Sequence, residues 1–252
     1  MNRLAAFFAI SMLSLPGLAL AAAEGTAVGV RPEALARAGS AERTLVVGTD
    51  VSVGETIVTG PSGTVQLLFD DQTRLVVGPR SSLQIETYLL AGTGADKFAV
   101  NALAGTFRFI SGNSPKPVYS IDTPTASIAV RGTRFDLTVG GGQSLVMLFD
   151  GALRLCQGAS CVDLTDRCDI GAGVGGNANL FTWSDPERSG AAANFPLPNI
   201  QSSFLPQFRV SGAQACLVAP NQSPAGSLVS GPGSGTRQNQ NQNQPCTNPQ
   251  LC

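Results

Sequence analysis

From Thr44 to about Leu155 the sequence is a succession of short runs closed by glycine or another turn residue: TLVVG, ETIVTG, GTVQLLFDD, TRLVVG, SSLQIETY, GTFRFISG, VYSIDT, ASIAVRG, TRFDLTVG and QSLVMLFDG. This punctuation constrains the fold more than any other feature. No run is long enough for a stable helix, and none carries an apolar stripe of helical period. In TVQLLFD the apolar Val65, Leu67 and Phe69 alternate with Thr64, Gln66 and Asp70, and Leu68 breaks the polar face. That alternation is the mark of a strand with one buried face. Asp150-Gly151, between LVMLF and ALRL, is the pair a tight hairpin turn wants. Strands at intervals of about ten residues with no helix between them exclude a parallel α/β sheet and favour a roll, barrel or solenoid. The expected class is all-β. Echoes such as the two Phe-Asp turns at 69–70 and 149–150 are too irregular for a repeat protein.

The chain has 252 residues, of which 43% are hydrophobic, which suits one core with an appendage. A formal charge of -1 and an aromatic content of 6% give a nucleic-acid partner neither electrostatic attraction nor stacking platforms. Histidine is absent, which removes the usual general base of Ser/His/Asp and Cys/His sites and all histidine-liganded zinc. No cofactor is expected, and no enzymatic activity. The opening residues, MNRLAAFFAISMLSLPGLALAAAEG, have the layout of a secretory leader. Arg3 supplies the positive end, Leu4 to Leu15 the apolar stretch, and Ala19-Leu20-Ala21 and Ala21-Ala22-Ala23 the small-residue cleavage sites. Residues 1–23 are therefore expected to be a signal peptide. The rival is an uncleaved anchor over Leu4 to Ala23, which Pro16 and Gly17 interrupt; no later segment is long and apolar enough to span a bilayer. The expected location is the periplasm or the outside of the cell, with no integral span after cleavage.

All six cysteines follow the leader, and in an exported chain an even number reads as disulfides. Cys156 and Cys161 bracket QGAS and could face each other across a hairpin. Residues 158–218 read as a β/loop extension ending in a proline-rich strap, extended over the core from Ala191 to Phe208. Residues 219–252 are a polar, low-complexity tail that can bury almost nothing. Its Cys246 and Cys252 are expected to staple it to itself or back to Cys216. Asp163, Asp166 and Asp169 lack the density and the closing glutamate of a calcium loop and read as solvated turn residues. Asp70 and Asp71, adjacent on one turn, point apart and form a polar hairpin tip rather than a catalytic carboxylate pair.

Four blocks in order, GETIVTGPSGTVQLLFDDQTRLVVGPRSSLQI, AGTFRFISG, IDTPTASIAVRGTRFDLTV and SLVMLFDGALRL, resemble the FecR domain over residues 44–157. The resemblance implies an envelope-facing β module, often described as solenoid-like. The best-known members relay iron-siderophore signals from an outer-membrane receptor to a sigma factor, and carry an anti-sigma segment and a membrane helix ahead of this domain. Only the leader precedes it here, so the expectation is a stand-alone exported member without that segment. The main functional expectation is a non-enzymatic domain that binds or organises an envelope component, either a protein or a polysaccharide. Two alternatives are an envelope signal-relay protein of the iron-transport type and a carbohydrate-binding or hydrolytic protein.

Within IDTPTASIAVRGTRFDLTV, the residues Ile128, Val130, Phe135, Leu137 and Val139 keep an inward set, broken at Arg131-Gly132. Gly132 is expected at a bulge or bend. Arg131 is expected to brace that corner by bonding carbonyls, or else to belong to a partner-binding surface. Arg134 and Asp136 share the outward face of one strand and are expected to pair there.

Overall fold

The computed structural model describes residues 24–91, 94–114 and 119–218. The leader and the tail, with Cys246 and Cys252, lie outside the described residues. The strands are β1 (Gly25–Arg31), β2 (Ala34–Ala38), β3 (Ala41–Thr44), β4 (Thr49–Val51), β5 (Thr56–Thr59), β6 (Thr64–Phe69), β7 (Arg74–Val77), β8 (Ser82–Ala91) and β9 (Gly94–Ile110). They continue as β10 (Tyr119–Asp122), β11 (Ser127–Val130), β12 (Arg134–Gly140), β13 (Gln143–Asp150), β14 (Leu153–Gln157), β15 (Ser160–Leu164), β16 (Ile170–Val174) and β17 (Asn177–Phe181). The described fold is mostly β, as the period of two requires.

The strands pair into two sheets. Sheet A has the order β4-β1-β6-β7-β9-β12-β13-β16-β17. Sheet B has the order β3-β2-β5-β8-β9-β10-β11-β14-β15. After β1 the chain visits the sheets mostly two strands at a time, which is why turn signals recur at short intervals. Every pairing is antiparallel except β9 with β10. β9 belongs to both sheets: up to Ala104 it pairs with β8 in sheet B, and from Gly105 it pairs with β12 in sheet A. Gly105 makes the crossing at φ +107, where a side chain would also strike Ser81.

The inner faces of the two sheets share one core. Phe98, on the sheet B half of β9, meets Phe69 of sheet A edge-on with ring centroids 4.9 Å apart. Tyr119 of sheet B meets Phe109 of sheet A at 5.5 Å. Sheet A is apolar on its other face too. Along β13, Val146 and Leu148 enter the inter-sheet core, whereas Leu145, Met147 and Phe149 point the opposite way. That second face is covered by residues 188–218, where Phe195, Leu197, Phe204, Phe208 and Val210 are buried. Leu68, which broke the alternation of β6, packs against this cover. The outer face of sheet B carries exposed ion pairs instead, Arg37–Glu42 and Arg154–Asp163.

The cover is the expected strap, but it is coiled rather than extended. It contains α1 (Arg188–Ala192), α2 (Leu197–Ile200) and 3-10 turns at Gln201–Ser203, Pro206–Phe208 and Ala213–Leu217. Its prolines do not forbid these turns, because Pro198 and Pro206 stand in first turns, where no amide hydrogen is needed.

Cys156 and Cys161 are directly opposed on β14 and β15 and form a disulfide, with Cα atoms 4.1 Å apart. The second disulfide joins Cys216 to Cys168, which rules out the tail's expected bond back to Cys216 and leaves its alternative, a bond within the tail, outside the described residues. The strap brings Cys216 back onto the β15–β16 connection, a proximity that spacing alone does not show. In the chain-entropy account a short loop contributes less than a long one. Breaking Cys156–Cys161 should cost about 2 kcal/mol and breaking Cys168–Cys216, which are 48 residues apart, about 4 kcal/mol. Denaturant unfolding of the two double-serine variants checks the order; equal losses would contradict it.

Candidate functional site

The corner expected at Arg131-Gly132 is where the chain leaves β11 in sheet B for β12 in sheet A. Gly132 has φ +66 and Gly151, at the return crossing, has φ +85. A Cβ on Gly151 would run into the Gly132 carbonyl, so the two crossings can lie together only with glycine at that position. The backbone N–H of Arg131 donates to the Ala152 carbonyl at 3.0 Å. Its guanidinium is exposed and makes no hydrogen bond among the described residues, so the bracing belongs to the backbone and not to the side chain. Its charge reaches Asp163, whose carboxyl lies below its ordinary value, first through the hydrogen bonds from Arg154 and last through Arg131. Arg131, Arg154 and Asp163 thus form a solvated polar patch on sheet B.

The expected pairing of Arg134 with Asp136 is corrected. Arg134 is exposed and lies 3.9 Å from Asp150, its register partner on β13. Asp136 is buried, 1% exposed, because the outward face of β12 is the face the strap covers. Its partner is Arg108 on β9, directly opposite in the register and completely buried. The Arg108 guanidinium donates Nε to Oδ1 at 2.7 Å and Nη2 to Oδ2 at 2.8 Å, a two-pronged ion pair. Nη1 then reaches into the strap, donating to Gln201 Oε1 at 2.8 Å and to the Phe208 carbonyl at 3.4 Å. The rings of Phe149 and Phe204 lie 5.5 and 6.0 Å from the guanidinium carbon. Burial pushes the Asp136 carboxyl up, and the charge and hydrogen bonds of Arg108 oppose the shift.

Three further buried charged groups escaped the sequence reading. Asp71 is not at an open hairpin tip: it is fully buried and accepts from the Thr73 amide, and from the hydroxyls of Thr73, Ser114 and Tyr119. The Asp71 amide donates to the Tyr88 hydroxyl at 3.0 Å, so both tyrosines of the chain converge on this residue. Burial pushes both phenols up. Arg188 is also buried; it donates to the carbonyls of Cys168 and Cys216 and stacks 4.3 Å from the Trp183 ring, locking the strap to its disulfide. Asp169, expected in solvent, is 4% exposed and accepts from the Asp166 amide at 3.0 Å within its turn.

Both oxygens of Asp71 and of Asp136 accept from protein donors, and Asp169 accepts two backbone amides through Oδ2. The hydroxyls beside Asp71, on Thr73, Ser114 and Tyr119, are buried together with it. Among the described residues no group of three or more His, Cys, Asp or Glu side chains could hold a metal ion.

Residues 55–154 match the family described as FecR protein. They run from the start of β5 into β14. No curated protein matches the chain. Two crystal structures of a candidate anti-sigma factor from Parabacteroides distasonis ATCC 8503, at 1.65 and 2.50 Å resolution, are similar to it at 15% identity. Their TM-scores are 0.43 and 0.42, over 55% and 54% of this chain and 63% and 62% of theirs. The chain thus spans less than two thirds of that protein's length. The match to the FecR family covers less than half of the chain.

Removing one member of the buried pair leaves the other charge without a partner, whereas replacing both with apolar groups does not. Asp136→Ala should cost about 3–5 kcal/mol, and Arg108→Met with Asp136→Leu less than either single change. Arg131→Ala and Arg134→Ala should stay within about 0.5 kcal/mol, as exposed substitutions do. Urea unfolding of the set checks this; a large loss for Arg131→Ala would restore its side chain as a brace.

Proposed function

We propose that the chain is an extracytoplasmic, non-enzymatic interaction domain that takes part in signal relay at the cell envelope, in the manner of FecR-type regulators. The FecR match over residues 55–154 carries this reading. It favours relay over the plainer role of organising an envelope component. The secretory layout of residues 1–23 supports the location, and no helix among the described residues is long and apolar enough to cross a membrane. In this reading residues 219–252 are a polar, low-complexity tail, and the partner is a protein rather than a polysaccharide. The carbohydrate reading has less support, since the one tryptophan, Trp183, already stacks on Arg188.

The corner on sheet B offers a place to test the reading. The Arg131 side chain is exposed and makes no hydrogen bond among the described residues, so a photo-reactive residue there should not disturb the fold. Arg131→p-benzoylphenylalanine, irradiated in the intact envelope of the source cell, should capture a receptor or a sigma-factor regulator. Capture of polysaccharide alone, or of no envelope protein, would count against signal relay.

A further inference from the structure

At one edge of the two sheets the packing is left open. β4 runs beside β1 only from Gly25 to Ala27, and then the chain swings away through Leu45, Val46 and Val47 to β3. On its other side β1 stays paired with β6 as far as Arg31. Beyond Ala27, no described strand pairs with the edge that β4 has left. The gap is an open trough of about 500 Å³ whose walls include Val30, Leu35, Leu45, Val46 and Val47. Leu45 is buried at its base, but Val46 and Val47 are 60% and 64% exposed, the most exposed large apolar residues described.

We infer that this trough and the open edge of β1 form the docking site for an extended segment of a partner protein, which adds as a strand beside β1 and seats every second side chain among the valines. The inference rests on the reading of the chain as an interaction domain and names where the partner binds. A strand edge supplies unpaired backbone donors and acceptors, and an adjacent apolar trough supplies pockets at alternate positions; together they recognise an extended peptide. The neighbouring edge is treated differently. On β3, Glu42 and Arg43 are held in ion pairs with Arg37 and Glu55, which guards that strand against pairing. The size also selects the occupant, since a stable complex of two folded chains buries about 800 Å² on each partner. A trough that admits only a few apolar side chains falls well short of that, which disfavours a second copy of this chain. The trough residues precede 55–154, so the site belongs to this chain's own first strands and not to the matched segment.

The test uses the full chain from Glu24, immobilised and panned with a phage-displayed random dodecapeptide library. Enriched sequences should alternate apolar and polar residues, and a selected peptide should slow hydrogen exchange at those amides of Gly29–Arg31 that face away from β6. Val46→Glu with Val47→Glu should weaken that peptide by about tenfold or more. Proline in the centre of the peptide should abolish binding, and this readout does not depend on how the protein variant folds. Three results would overturn the inference: no alternating sequence enriched, binding indifferent to both changes, or displacement of the peptide by dodecanoate, which would make the trough an acyl-chain site. Capture of an envelope partner through Arg131 is a separate measurement, so either result can fail without the other.

Discussion

The Arg108–Asp136 ion pair is buried between sheet A and the strap, and it can exist only because sheet A is covered on both faces. An isolated buried charge would be prohibitive. Here the guanidinium spends two donors on Asp136 and turns the others toward the strap, at Gln201 and the Phe208 carbonyl. Gln201 accepts from the Val210 amide with the same oxygen, so the ion pair, the 3-10 turns and the strap backbone are one network. Around it Phe195, Leu197, Phe204 and Phe208 close the apolar face, each contributing about 1.5–3 kcal/mol through burial. The pair fixes where the strap sits more than it adds to stability, since a buried ion pair roughly offsets its own desolvation. The far end of the strap is fixed independently, by Cys168–Cys216 and the Arg188 donors on its two carbonyls.

Much of the β architecture could be read from residues. The alternation in β6, the Asp150-Gly151 turn and the opposed Cys156 and Cys161 all depend on local geometry, and local geometry is what sequence spacing reports. The double burial of sheet A was written less plainly. Leu68 and the unbroken apolar run of β13 are its marks, since a strand covered on both faces loses its alternation. Asp136 was placed outward correctly, but an outward face is solvated only if nothing covers it. Its partner stands 28 residues away in FRFI, where an arginine between two phenylalanines points to the same covered face. Asp71 misled for a similar reason: a carboxylate in a turn resembles a solvated tip until Tyr88 and Tyr119 arrive from other strands.

These buried networks leave two surfaces free to act. The outer face of sheet B is polar and carries the Arg131 corner, whose backbone is fixed while its side chain is not. The opening beside β1 is apolar and borders an unpaired strand edge.

Residues 188–218 are a structural layer of the domain, without which sheet A should not remain folded. A chain ending at Glu187, compared with one ending at Val218, tests it most directly by cooperative thermal unfolding with a dye that reports exposed apolar surface. The account predicts that the shorter chain binds the dye strongly and loses its cooperative transition. A shorter chain that unfolds as cooperatively as the longer one, at the same temperature and without binding dye, would contradict it.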